Sequence, residues 1–176
     1  MAKPHRVSTF IDVGWLIDGL RGQGLPWRLD FAALVDRLAG DRTVTGKSAY
    51  LAVYPGDCYP KKAAGQRALM DLMAEQGFEV RVDEMQIRGG MYIDQGVDVM
   101  LSVEMLEQAV TDTYDTAIVI SRRPTLRPAV EAVRSRGKEV ENVFFEYQAD
   151  PSNEVMSASN GFVPLTEGLV QEFALS

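Results

Sequence analysis

Two aspartates lie where predicted elements end or begin. Asp12 ends residues 6–12 (RVSTFID), whose β-branched and apolar residues predict a strand. Asp98 lies in the first turn of a helix predicted over residues 96–110. Carboxylates at such positions can hold a divalent metal or act as bases. They can also cap a turn or interact with the helix dipole, and the residues alone leave both interpretations open.

A cationic corner follows a second strand. Residues 116–121 (TAIVIS) form an unbroken apolar run, which is typical of a strand buried on both faces. Residues 121–125 (SRRPT) then lead into a helix predicted over residues 124–136. Backbone N–H groups at a helix start bind anions, and two arginines add charge-assisted donors. The corner is therefore a candidate phosphate site. In the alternative interpretation, one arginine pairs with neighbouring acids and the other points to water.

Four further side chains could contact a nucleic acid. Trp15 and Trp27 flank a predicted loop on one side of the sheet, and either could stack on a base. Lys61 and Lys62 begin a predicted helix and could contact a phosphate backbone. The alternatives are interior packing of the tryptophans and solvation of the lysine pair.

The scarcity of histidine and cysteine excludes several kinds of site. The single histidine, His5, lies near the N-terminus, which argues against a Ser-His-Asp triad and a His-rich zinc site. One cysteine, Cys58, excludes an internal disulfide and indicates an intracellular, cytoplasmic protein. Glycine-rich phosphate-binding motifs are absent. Any chemistry must therefore rest on carboxylates, Arg, Lys or hydroxyls.

The chain is acidic. Lys and Arg number 18 against 25 Asp and Glu, which gives a formal charge of −7. Such a chain is a poor general binder of a nucleic acid backbone unless divalent metals offset its acids. No signal peptide and no run of about 20 apolar residues is present, so we expect no membrane partner.

Strands and helices alternate along the sequence, which indicates a mainly parallel sheet with helices on both faces. We therefore predict an α/β, three-layer αβα sandwich with a Rossmann-like sheet, forming one domain over residues 1–176. Strands are predicted at 6–12, 48–54, 78–82, 116–121, 138–145 and 162–165, and helices at 29–38, 60–76, 96–110, 124–136 and 152–159. Gly89 and Gly90 mark a turn, interpreted as the tip of a hairpin. Ligands of such folds sit beyond the carboxyl ends of the strands, which points to residues 12–16, 54–58 and 121–125.

The order of these pieces resembles the NYN domain family, a branch of the PIN-like metal-dependent ribonucleases. Residues 10–16 (FIDVGWL) resemble the family's opening F-I-D-x-x-N-L, and residues 96–106 resemble its central G-V-D-V-x-L…D-M-L. Residues 118–128 fall where the family has a strand followed by S-G-D-S-D-F-x-P, and residues 134–138 (RSRGK) resemble its R-x-x-G-K. The resemblance covers most of the chain.

The resemblance implies that acids from three motifs gather Mg²⁺ or Mn²⁺, and that a hydroxide held there attacks an RNA phosphodiester. Asp12 and Asp98 match two of those motifs and are the predicted catalytic and metal-binding residues. The two acids of the third motif fall on Arg123 and Thr125, and the asparagine of the first falls on Trp15.

An arginine in place of an aspartate changes the local charge by two units. We infer from the sequence that Arg123 substitutes for the metal by pairing with Asp12 and with Asp98, because a buried acid pair without a cation is costly. Glu104 projects about 240° around the helix from Asp98, so it is expected to face elsewhere. The chain is thus predicted to be a catalytically impaired or inactive NYN domain that needs no metal.

Three functions stay open at this level. The first is a module that binds RNA, a phosphate or a protein; its predicted substrate-binding residues are Trp15, Ser121, Arg122, Arg123 and Thr125. The second is an active Mg²⁺- or Mn²⁺-dependent endoribonuclease that uses Asp12, Asp98 and either Asp94 or Glu104. The third is a structural partner protein, with a homodimer as one form. A response-regulator receiver is more distant, because the first strand ends in one acid instead of the acidic pair of those domains.

Overall fold

Six parallel strands form the central sheet, and helices pack on both of its faces. The computed structural model describes residues 4–94, 96–148 and 153–175. The strands are β1 (Arg6–Asp12), β2 (Thr43–Val53), β3 (Glu79–Glu84), β4 (Gln86–Arg88), β5 (Met91–Ile93), β6 (Thr116–Ile120), β7 (Glu139–Phe145) and β8 (Gly161–Leu165). The helices are α1 (Val13–Gly22), α2 (Phe31–Ala39), α3 (Pro60–Glu75), α4 (Val97–Val110), α5 (Arg127–Ser135), α6 (Glu154–Ala158) and α7 (Glu167–Glu172).

The strand order of the sheet is β3-β2-β1-β6-β7-β8, so the chain leaves β1 in one direction and β6 in the other. Ile11 of β1 pairs with Ile120 of β6. The next residues, Asp12 and Ser121, therefore lie side by side at the carboxyl edge of the sheet. This is the point at which strand order reverses, where open α/β folds bind their ligands.

Alternating side chains of the strands separate two cores. Ile11 of β1 belongs to the core under α1, α2, α3 and α7, whereas its neighbour Phe10 belongs to the core under α4, α5 and α6. The period of two along a strand places successive residues on opposite faces. The predicted three-layer α/β architecture is therefore confirmed.

A two-stranded hairpin, β4–β5, lies outside the main sheet. Arg88 pairs with Met91, which leaves Gly89 and Gly90 as the two-residue turn. Both glycines have positive φ, 58° and 79°, and glycine adopts this backbone conformation at little steric cost. The predicted hairpin tip is confirmed.

The expectation that Trp15 and Trp27 flank a loop is wrong, because Trp15 lies within helix α1, which continues to Gly22. Asp12 caps α1 by accepting a hydrogen bond from the backbone N–H of Trp15. Glycines in this segment lower its helix propensity and mask its apolar periodicity. Burial of Leu16 and Leu20 against the sheet outweighs that local preference.

Other boundaries differ more modestly. Strand β2 begins at Thr43, five residues before the predicted start, because residues 43, 44, 46 and 47 pair with β1. A 3-10 turn over Pro124–Leu126 precedes α5. Helix α6 lies within the predicted residues 152–159, whose first residue, Ser152, lies outside the described residues. Helix α7 has no counterpart in the prediction. Within the described ranges, no helix combines the length and apolar character that a membrane crossing requires.

Gly19 lets α1 pack closely on the sheet, and its substitution is therefore expected to be costly. A β-carbon on Gly19 would lie 2.0 Å from Cε2 of Phe145, a fully buried ring held between other aromatic rings. We expect Gly19→Ala to lower the free energy of unfolding, measured in urea, by about 1–3 kcal/mol.

Gly22→Ala is the matched control on the same helix. A β-carbon there meets nothing within 4 Å, so the change should be neutral or stabilising by up to about 1 kcal/mol. Equal changes in stability from both substitutions would contradict the role of the Phe145 contact, because that contact is present only at Gly19.

Candidate functional site

Asp12 is the buried centre of the site at the carboxyl edge of the sheet. Its side chain is 1% exposed. One carboxylate oxygen accepts the Trp15 backbone N–H at 3.0 Å, and the other accepts the Ser121 hydroxyl at 3.2 Å. That second oxygen also accepts Nε of Arg123 at 2.6 Å. Three donors from two neighbouring strand ends therefore fix this carboxylate.

The guanidinium of Arg123 joins three carboxylates. Its Nε contacts Asp12 at 2.6 Å, its Nη2 contacts Asp94 at 2.5 Å, and its Nη1 contacts Asp98 at 3.1 Å. These four side chains are termed the Arg123 cluster. The pairing of Arg123 with Asp12 and Asp98 that the sequence predicts is present, and the loop before α4 adds Asp94 as a third partner.

Asp98 is held from a second direction. The hydroxyl of Thr125, which falls at the second acid position of the third motif, donates a hydrogen bond to Asp98. Both residues at the altered motif positions, Arg123 and Thr125, therefore donate to the acids they face. An aspartate at either position would bring a negative charge towards Asp98 instead.

Burial acts on the pKa values of two members of the cluster, Asp12 and Arg123. Burial raises the pKa of Asp12, and the charge of Arg123, together with the Trp15 N–H and Ser121 hydroxyl, opposes that rise. Burial disfavours the charged form of Arg123, but its three carboxylate partners outweigh this effect and raise its pKa. The guanidinium is therefore a permanent cation, and Asp12 depends on it for ionisation.

Two asparagines that sequence reasoning missed position the corner after β6. Asn142, fully buried on β7, donates to the carbonyl oxygens of Val119 at 3.1 Å and Ser121 at 2.7 Å. Asn153 caps α6 and donates to the carbonyl of Arg122 at 3.2 Å. The available signal for Asn142 was its place just before the apolar residues VFF of β7, since a buried amide needs partners.

Glu104 faces away from the Arg123 cluster, as its helical position predicts. Its carboxylate accepts the Ser48 hydroxyl at 2.7 Å and the Gln108 amide at 3.2 Å. It also contacts Nε of Arg81 at 3.5 Å. Asp94, and not Glu104, is thus the acid that joins Asp12 and Asp98 around Arg123.

The family profile of the NYN domain matches residues 6–166 of this chain. The chain belongs to the NYN domain family. The placement in the PIN-like superfamily is consistent with that match.

The NYN domain also shares its fold with a solved structure, a protein of unknown function from Vibrio parahaemolyticus RIMD 2210633. The two have a TM-score of 0.73 at 20% sequence identity, over 94% of this chain and 96% of the other. Identity at this level shows the fold alone. A search of curated proteins gave no match.

The Arg123 cluster does not fit the Mg²⁺ or Mn²⁺ that the family resemblance implies. A divalent ion needs several oxygen ligands that converge on one point. Across the part of the chain that the structure describes, no three or more His, Cys, Asp or Glu side chains are so arranged. Each carboxylate of the cluster contacts the guanidinium, whose fixed positive charge repels a second cation. The metal-binding and catalytic roles of Asp12 and Asp98 stay predictions.

A cavity of about 900 Å³ opens beside Arg123, between α1 and α3. Arg123 and Trp15 line it, whereas Ser121, Arg122 and Thr125 do not. Ser121 is fully buried and donates a hydrogen bond to Asp12, and the Thr125 hydroxyl donates one to Asp98. The structure therefore brings two of the five predicted substrate-binding residues to this cavity; the binding roles of all five stay predictions.

Removal of the guanidinium should destabilise the domain in a pH-dependent way. In Arg123→Met, Asp12 loses its cation, so its pKa should rise further. The pKa of Asp12 is then higher in the folded state than in the unfolded chain. The free energy of unfolding therefore falls as pH rises and the folded state loses this proton. Urea unfolding should show that Arg123→Met lowers the free energy of unfolding by about 3 kcal/mol at pH 8 and by less near pH 5, relative to the unsubstituted protein.

Arg127→Met removes the same charge from a pair with Glu131 in which both side chains are about half exposed. It should change stability by less than about 1 kcal/mol at either pH. Asp12→Asn combined with Arg123→Met should recover part of the loss, because no buried charge remains unpaired. A loss in Arg123→Met that does not vary with pH would contradict the dependence of Asp12 on Arg123.

Proposed function

We propose that this NYN domain does not hydrolyse RNA and instead binds RNA at the carboxyl edge of its sheet. The observation that carries the proposal is the Arg123 cluster, in which one guanidinium contacts Asp12, Asp94 and Asp98. A guanidinium neutralises carboxylates as a metal ion does. It has no open coordination position for water, however, and it does not lower the pKa of water as a bound metal ion does.

The same cluster lacks a general base. Asp12 is buried and is hydrogen-bonded through both of its oxygens, so it is not presented to a substrate. Asp94 and Asp98 are occupied by Arg123 and by Thr125. A base must reach the proton it removes, directly or through one water molecule. Hydrolysis would thus require the cluster to come apart first.

The neighbouring cavity supports RNA as the ligand. Arg21, Lys61 and Lys62 line it, and none of them has an ion-pair partner among residues 4–94, 96–148 and 153–175. Trp15, Trp27, Tyr54 and Tyr147 add aromatic surface to the same cavity. Free cations interleaved with aromatic rings are the features with which proteins bind single-stranded nucleic acid. A local cationic surface of this kind offsets the overall charge of −7.

The absence of hydrolysis can be tested directly. Purified protein incubated with fluorescently labelled single-stranded RNA and either Mg²⁺ or Mn²⁺ should leave the RNA intact, and calorimetry should show no heat of Mn²⁺ binding. The physical reason is that the guanidinium occupies the place of the cation. Cleavage that Asp12→Asn abolishes would overturn the proposal and establish the metal-dependent ribonuclease instead.

RNA binding should persist in EDTA and weaken with salt. If Arg21, Lys61 and Lys62 each contact a phosphate, log K should fall against log salt with a slope of about −2. Fluorescence anisotropy of a labelled oligonucleotide between 50 and 300 mM KCl measures it. A lack of binding at 50 mM KCl would contradict RNA as the ligand and leave a protein partner as the alternative.

A further inference from the structure

The cavity beside Arg123 contains both tryptophans of the chain. Trp15 stands at the position of the family's asparagine, and its ring packs on Phe145 with centroids 4.9 Å apart. Trp27 lies under the guanidinium of Arg21, 4.6 Å from the ring centroid. Both indoles are half-buried. The two departures from the family motifs at Trp15 and Arg123 therefore face one cavity.

A second wall of the cavity holds an unneutralised positive charge. The ammonium of Lys62 lies over the rings of Tyr54, Tyr59 and Tyr92, at 4.4, 5.5 and 5.3 Å from their centroids. The three rings contact one another edge to face. Aromatic faces hold a cation without cancelling its charge, so Lys62 is positioned while it stays available to an anion. Lys61 adds a second charge beside it.

Opposing charges decide where an anion can lie. The Arg123 cluster holds three carboxylates against one guanidinium, a formal charge of −2 when all are ionised. Asp18, exposed on α1, adds another negative charge to the cavity wall. A phosphate is therefore repelled from the Arg123 end. Lys61 and Lys62 offer it two adjacent positive charges, whereas Arg21 offers one and lies over Trp27. The aromatic surface of Trp15 and Trp27 is left for an uncharged, planar group.

We propose that this cavity binds one nucleoside monophosphate unit, with its base on the Trp15 and Trp27 surface and its phosphate at Lys61 and Lys62. The unit is either a free nucleotide or an unpaired nucleotide of an RNA strand, and in the second case the inference rests on the proposed function. The volume of about 900 Å³ lies within the range of about 300–1,000 Å³ typical of small-molecule sites. A paired base is excluded, because its partner covers the edge and its neighbours cover the faces.

Intrinsic fluorescence reports this site directly, because Trp15 and Trp27 are the two tryptophans of the sequence. Titration with AMP should quench the emission saturably. Adenosine, which lacks the phosphate, and ribose 5-phosphate, which lacks the base, should each bind at least tenfold more weakly. Equal affinity for AMP and ribose 5-phosphate would overturn the assignment of the base to the tryptophans.

Substitution of Lys61 and Lys62 tests where the phosphate binds. Lys61→Ala combined with Lys62→Ala should weaken AMP binding at least tenfold. Arg67→Ala removes a charge from an exposed residue of the same helix that does not line the cavity, and should retain affinity within twofold. Thermal unfolding verifies that each variant is folded. If Arg67→Ala weakens AMP binding as much as the double lysine variant does, the attraction is general electrostatics, and the proposed phosphate position is overturned.

Competition separates the two sources of the nucleotide and the two proposals. If single-stranded RNA displaces AMP and a blunt RNA duplex does not, the site takes a nucleotide of a strand. If AMP binds and RNA does not, the site takes a free nucleotide, and the RNA-binding function fails while this inference holds. If RNA binds without displacing AMP, or RNA binds and AMP does not, the inference fails while RNA binding holds. If neither AMP nor RNA binds, both proposals fail.

Discussion

The ion pair between Arg123 and Asp12 is the constraint around which this domain is arranged. Asp12 is buried at the end of β1, and a carboxylate there is costly without a cation and hydrogen-bond donors. Arg123 supplies the cation from the corner after β6, and Ser121 and the Trp15 N–H supply donors. The remaining guanidinium nitrogens reach Asp94 and Asp98. One side chain thus connects two strand ends, the loop before α4 and the first turn of α4.

A fixed organic cation differs from a bound metal ion in ways that bear on function. It cannot be exchanged, it offers directional N–H donors instead of open coordination positions, and its charge is spread over three nitrogens. Because its contacts are directed at protein carboxylates, little of its charge acts outward. The outward-facing charge and aromatic surface of this edge come from other residues, chiefly those of α1 and the start of α3. The charge that this edge presents to a ligand is therefore set by those residues more than by the Arg123 cluster.

Much of the fold could be predicted from sequence because its signals are local. The apolar run before Ser121, the glycine pair of the β4–β5 turn and the capped helix after Asp30 each specify their own structure. Helix α1 could not be predicted in this way, since glycines weaken its local signal and packing against Phe145 explains one of them. Asn142 was missed for a related reason: its partners, Val119 on β6 and Ser121 just after it, are 23 and 21 residues away in sequence.

The sequence by itself determined the α/β class and the family resemblance, because both follow from residue type and order. The pairing of Arg123 with Asp12 and Asp98 was an inference from that resemblance, and the packing of separate elements brings the three side chains together. Only the tertiary structure decided that Asp94 joins the cluster and that Glu104 instead contacts Ser48. It also decided that the hydroxyls of Ser121 and Thr125 donate hydrogen bonds to Asp12 and Asp98 and do not line the cavity. It also brought Trp15, Trp27 and Lys62 to one cavity. The reason is geometric: side chains from separate elements meet only through the packing of helices on the sheet, and spacing along the chain does not specify that packing.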